Sequence, residues 1–360
     1  MNEGLADAVR QAVLLAHAGV TTVPPPITWG RLFTAWTFDP AASAGIAAVG
    51  LLYVLGVVRM RRAGNRWPWW RTTLFIGGGL GTLVVATQSV LGTYDTVLIS
   101  VHMAQHMLLA MVAPVFLALG APITLALRTL PRRPRGWLLA VLHSRIARVL
   151  SFPAVAAALF VANPWILYFT PLYEATLRHP LLHDALHVHF VVVGCLFAWP
   201  LLGRDPVPGR VAHPLRMITV FLTLPFHAFL GITIMGQRAL LGGDWYIELD
   251  RGWPPTPQVD QQWAGGLLWS SGDLIGLLFF TVLFTQWLRA SRLEAAREDR
   301  RLDRLEAIER AEAARAAQAV PVAVGGVTAV LSGGVADVAV GRAGSIAEDQ
   351  AATSEASERR

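Results

Sequence analysis

Seven near-continuous apolar stretches, each about as long as a helix that crosses a bilayer, constrain this chain more than any other feature. They are Ala41–Val58, Thr72–Leu91, Thr96–Leu119, Val149–Phe169, His183–Leu202, Leu215–Gly236 and Gln262–Leu288. An α-helix rises ~1.5 Å per residue, so roughly 20 residues cover the ~30 Å of hydrocarbon. Inside lipid the backbone must satisfy its own hydrogen bonds, and a single apolar segment does so as a helix. Composition agrees. Of 360 residues 54% are hydrophobic and 15% charged, and the mean hydropathy is +0.47, against about 25% charged in a soluble domain. A water-soluble globular enzyme, a collagen-like chain and a disulfide scaffold are excluded, and the lone Cys195 has no intrachain partner. The expected fold is an all-α polytopic membrane protein, a seven-transmembrane helix bundle.

The connections between these stretches alternate in charge. Arg59, Arg61, Arg62, Arg66 and Arg71 follow the first, and Arg128, Arg132, Arg133, Arg135, Arg145 and Arg148 follow the third. Arg204, Arg210 and Arg216 follow the fifth, and Arg289 opens another basic run after the seventh. The other connections hold Arg178, Arg238 and Arg251 among Asp95, Glu174, Asp184, Asp244, Glu248, Asp250 and Asp260. Arginine excess marks the cytoplasmic side. The N-terminus is therefore expected outside and the C-terminus in the cytoplasm. The net charge of +6 does not imply nucleic acid: the tail from Arg289 balances 11 Arg against 12 acids, so the excess belongs to the loops. The lipid bilayer is the partner that this distribution explains.

Four regions follow. Residues 1–40 form an extracytoplasmic or interfacial segment. Its apolar stretch, Ala12 to Val23, is short and lacks a basic leader beyond Arg10, which argues against a cleaved signal peptide. Residues 41–288 are the membrane domain. Residues 289–318 alternate acids and arginines three and four apart and read as a solvated cytoplasmic helix. Residues 319–360 are Ala/Val/Gly/Ser low complexity, expected to be disordered.

Ionisable side chains inside a span are costly and point to function. The third span reads His102-Met103-Ala104-Gln105-His106-Met107. Residues four apart share a helix face, so His102 and His106 stack, with Met103 and Met107 on a neighbouring stripe. The fifth span opens with a second such pair, His183 and His187, while His189 turns to the opposite side. The sixth carries His227 after Pro225, and the seventh carries Asp273. Measured along their helices, all these groups fall within about 16 Å of the outer ends. One buried histidine is ordinarily an interhelical hydrogen bond. Five on three helices at overlapping depth suggest a metal or haem site. Thioethers are soft ligands suited to Cu(I), and imidazole accepts copper, zinc or iron. Asp273 is either a ligand or a partner orienting a ligating imidazole.

The run Ser100-Val101-His102-Met103-Ala104-Gln105-His106-Met107, followed by Ala113-Pro114 and Leu119-Gly120-Ala121-Pro122, resembles the CtaG-type cytochrome c oxidase assembly proteins. Asn163-Pro164, the His183/His187 region, Leu224-Pro225-Phe226-His227 and Asp260 to Gly266 extend the likeness over about residues 30–290. The resemblance implies a bacterial plasma-membrane factor that matures haem-copper oxidase subunits of the caa3 type, with copper delivery as its chemistry. His102, His106, His183, His187 and His227 match the family's histidines.

The expectation is thus a metallochaperone rather than an enzyme, holding copper, as Cu(I), on imidazoles with or without a thioether and passing it to an oxidase. Two rivals use the same histidines. A di-iron or zinc membrane enzyme needs an open metal position and usually a base, and Asp273 is the only carboxylate deep in a span. A haem b electron carrier needs opposed axial histidines, which i, i+4 pairs supply poorly. A scaffold without metal would not need these imidazoles.

Overall fold

A computed structural model describes residues 23–203, 205, 206, 208 and 211–328. Most of the N-terminal stretch considered as a leader and residues 329–360 of the expected disordered tail lie outside the described residues. The chain divides into two compact units, Met1–Ala290 and Ser291–Arg360.

The first unit is helical among its described residues. Its principal helices are α1 (Pro40–Arg62), α2 (Trp69–Tyr94), α3 (Ile99–Leu119), α4 (Pro153–Tyr168), α5 (Leu172–Arg178), α6 (Pro180–Leu202), α7 (His213–Gly236) and the start of α8 (Pro257–Thr328). Six are long and apolar enough to cross a membrane. The fourth expected span differs. Its helix α4 is 16 residues long and bends by 67° into α5, so the pair makes a seventh span only when counted together. Pro171 explains the bend, because its ring and missing N–H stop α4 from continuing.

Local sequence sets the helix ends. Asp39 accepts from the N–H groups of Ala41 and Ala42 and Pro40 occupies the first turn, so α1 starts there. Helix α3 takes its cap from another element: the Asp260 carboxylate at the start of α8 accepts from Ile99 N at 2.6 Å and from Ser100 N and Oγ. A carboxylate at a helix N-terminus also meets the positive end of its dipole. Arg251 holds this corner, 3.7 Å from Asp260 and donating to the carbonyls of Val97 and Pro255.

Helix α3 is the most buried of the spans and forms the axis of the unit. It packs on α2 and α6, α6 packs on α4, and α4 on α7. Both α2 and α3 contain a stretch of π-helix, Leu74–Leu80 and Leu108–Val112. The second follows His106 and Met107 directly, a place where such wide turns often accompany function. Glycine permits the closest helix crossings. A Cβ at Gly194 of α6 would overlap the Ala110 carbonyl and the Pro114 ring of α3, and Gly231 of α7 and Gly265 of α8 stand against each other's carbonyl oxygens. The Gly194 contact seats α6 against α3 and carries its histidines toward the top of α3.

In the second unit, residues 291–316 are helical and exposed, with ion pairs Arg301–Glu298 and Arg310–Glu306 at the expected helical spacings.

Candidate metal centre

Asp95 lies between α2 and α3, where the chain turns over at one end of the bundle, and it is 5% exposed. His183 and His187 occupy successive turns of α6, with ring centres 4.7 Å apart. Both present Nε2 to the same carboxylate oxygen of Asp95, at 3.2 Å and 3.5 Å. The three donor atoms lie within 4.8 Å of one another. Ligands about 2.0–2.2 Å from a tetrahedral ion stand roughly 3.3 Å apart, which the two Nε2–Asp95 separations match.

Gln105, nearly two turns below the top of α3, fixes this arrangement. Its Nε2 donates to Asp95 at 2.9 Å and to the Ala86 carbonyl at 3.0 Å, and its Oε1 accepts from His187 Nε2 at 2.9 Å. Burial alone would raise the Asp95 carboxyl. The His183 charge and the hydrogen bonds from His183 and His187 outweigh it and hold the carboxyl below its usual range, so it stands ionised.

His102 is fully buried on α3, its ring centre 6.0 Å from that of His183 and 4.9 Å from that of Tyr173. Neither ring nitrogen has a hydrogen-bond partner, and His183 Nδ1 has none either. Buried polar atoms are almost always paired, and each exception needs an explanation. An imidazole beside a carboxylate and two further imidazoles, with both nitrogens idle, fits a ligand position.

The remaining expected residues are placed differently. His106 gives Nδ1 to the Tyr168 hydroxyl at 2.9 Å and stacks on Phe190 at 4.0 Å, adjoining His102 through these rings but engaged elsewhere. His227 is buried against Phe160, 5.3 Å away, with Gly272 beside it and Asp273 as its charged neighbour. His227 and Asp273 are not members of the Asp95 cluster. Met103 and Met107 belong to the main apolar core. His189 faces away, bonded to Asn163 at 2.6 Å. Of the five histidines expected to share a pocket, His183 and His187 join the Asp95 cluster, His102 adjoins it without being a member, and His106 and His227 are engaged elsewhere.

Two residues that sequence reasoning left out complete the centre. In the sequence Asp95 is one acid among those of the connections, and Gln105 is an uncharged residue between His102 and His106. The spacing held one signal: Gln105 falls between the two histidines, three after His102, and so lies on a neighbouring face of α3.

The centre has a roof. Helix α5 and the short helix Trp245–Glu248 meet over it through the Tyr173 and Tyr246 hydroxyls, 2.6 Å apart. Arg178 binds Glu174 and Glu248 and lies over the Trp245 ring. Trp245 Nε1 donates to the Thr96 carbonyl, next to Asp95.

Comparison with known proteins bears on this arrangement. Residues 51–290 match the family model described as cytochrome c oxidase caa3 assembly factor (Caa3_CtaG). The chain belongs to this family. The matched span includes each of the cluster residues, and the likeness read from the span-three motif is to the same family. Uncharacterized proteins of Mycobacterium bovis and Mycobacterium tuberculosis are each 41% identical over 78% of the chain, and one of Mycobacterium leprae is 38% identical over the same share. These alignments cover 43–44% of the relatives, so the chain spans less than half the length of the curated proteins it matches. No solved structure matches the chain.

Proposed function

We propose that the chain is an oxidase assembly factor that holds copper as cargo at Asp95, His183 and His187, with His102 as the further imidazole, and passes it to a haem-copper oxidase subunit. One observation carries this reading: three donor atoms converge beside a buried histidine with both nitrogens free of partners. The arginine asymmetry supports an extracytoplasmic position for this end of the bundle, in a bacterial plasma membrane.

The chain's own residues do the binding. Asp95 supplies negative charge, His183 and His187 supply nitrogen, and Gln105 sets the angle of His187 and the carboxylate. Such outer partners orient ligands and raise affinity. The set holds nitrogen and oxygen, and a carboxylate is a harder donor than a thioether, so it accommodates cupric as well as cuprous ion. A zinc or iron enzyme is the second reading, favoured by the same nitrogen and oxygen donors. Against it, the cluster's one carboxylate is spent among the donors, leaving no separate base.

Metal analysis of detergent-purified protein after copper loading tests the reading. Wild type is expected to retain copper near one per chain, with no Soret absorption, and His183→Ala/His187→Ala to lose it. Copper-free wild type, undiminished copper in the double variant, or preferential retention of zinc or iron from a mixture would overturn it.

A further inference from the structure

A cavity of about 400 Å³ opens on the lipid-facing side of the first unit between α1 and α6. Its side walls include Val49 of α1, Leu83 of α2 and Val192 of α6, and its back wall is Leu109 and Leu117 of α3, the central helix. The volume falls in the range of small-molecule sites, and the depth distinguishes it from the shallow furrows between neighbouring lipid-facing helices. Helix α1 packs on the segment Pro122–Thr129 and on α2, and the groove lies between it and α6.

The lining changes along the axis. At the end of the bundle that holds the centre are Asp39, Thr87, Asp184 and His187. From Asp184 to Val192, and alongside on α1, the walls become aliphatic over about 12 Å of helix rise. Polar at the membrane surface and apolar toward the middle is the profile of a lipid lying with its own leaflet. The polar end also selects a head group. It carries two carboxylates and no arginine. Acceptors of negative charge fit a head group that donates and is positive, and repel an anionic one.

We propose that this groove binds one acyl chain of an amine-headed phospholipid of the phosphatidylethanolamine type, its ammonium between Asp39 and Asp184. Seated there, the lipid walls the Asp95–His187 cluster off from the bilayer on the α1 side. The site is independent of metal, so its failure and the failure of the copper reading are told apart.

The test is native mass spectrometry of the full chain after equilibration with vesicles of phosphatidylethanolamine and phosphatidylglycerol in equal amounts. Wild type is expected to retain one ethanolamine lipid in preference to the glycerol lipid. A Cβ at Gly45 meets open space within the groove, so Gly45→Leu fills it without a clash, and Val188→Phe fills it from α6. Each is expected to cut retention by at least about tenfold, the equivalent of two lost methylene contacts. Asp184→Asn should narrow the preference between the head groups, and Gly77→Leu, on an open face outside the groove, should change nothing. Equal retention of the glycerol lipid by wild type, retention untouched by both groove-filling variants, or a second copy of the chain seated there in place of lipid would overturn the proposal.

Discussion

At the scale of the residue, the centre turns on two side chains whose roles separate by experiment. Gln105 touches no ion in the proposed arrangement but ties Asp95 to His187. Gln105→Ala is expected to weaken copper binding by about 10–100-fold, the usual cost of losing such an outer partner, with the fold intact by circular dichroism. His102 is expected to behave in opposite senses. His102→Phe should stabilise the metal-free protein by about 1–3 kcal/mol by removing two idle buried nitrogens, while lowering copper affinity. Thermal melts with and without copper check both signs. The sequence made part of this readable. The i, i+4 spacing on α6 put His183 and His187 on one face, and they do meet on one carboxylate. The same spacing on α3 could not separate His102, left without partners, from His106, which is taken by Tyr168 and Phe190. Helical periodicity says which face a ring occupies and nothing of what waits there. Asp95 was hidden for a related reason. Its partner His183 lies 88 positions away, and only the packing of α6 on α3 brings them together.

Among elements, the decisive contacts are those one helix makes for another. Asp260 of α8 caps α3 and neutralises Arg251. Asp260→Ala removes these bonds and leaves a buried guanidinium facing no charge, so a loss of about 3–5 kcal/mol is expected. A lowered melting temperature in detergent, partly restored in Asp260→Asn, checks it; an unchanged melt would refute the capping role. In the sequence Asp260 was one loop acid among several, and Asp273 drew notice because of its depth. The long uncharged helices were legible because hydrocarbon imposes their length. The α4–α5 bend was not fully legible: Pro171 marks where α4 must stop, but only the structure shows that Leu172–Arg178 turns aside to roof the centre.

On the scale of the whole molecule, the arginine distribution divides the unit into two chemically distinct ends. One carries the Asp95 cluster beneath a roof bearing Glu174 and Glu248, and the other carries the basic connections. If the arginines set orientation, a membrane-impermeant maleimide applied to spheroplasts should label Asp244→Cys and spare Gly136→Cys until the membrane is permeabilised. Both are made in a Cys195→Ser background, and both sites are exposed. The reverse pattern would invert the topology and put the Asp95 cluster at the cytoplasmic face. The pinned roof adds a kinetic dimension. For an ion held as proposed, the Tyr173–Tyr246 pair and the Arg178 clasp cover one side of the cluster, so access from that side would depend on how often those contacts part, separately from the strength of the ligands. Unlatching would set when an acceptor reaches the proposed ion, and the ligand bonds would then exchange one at a time.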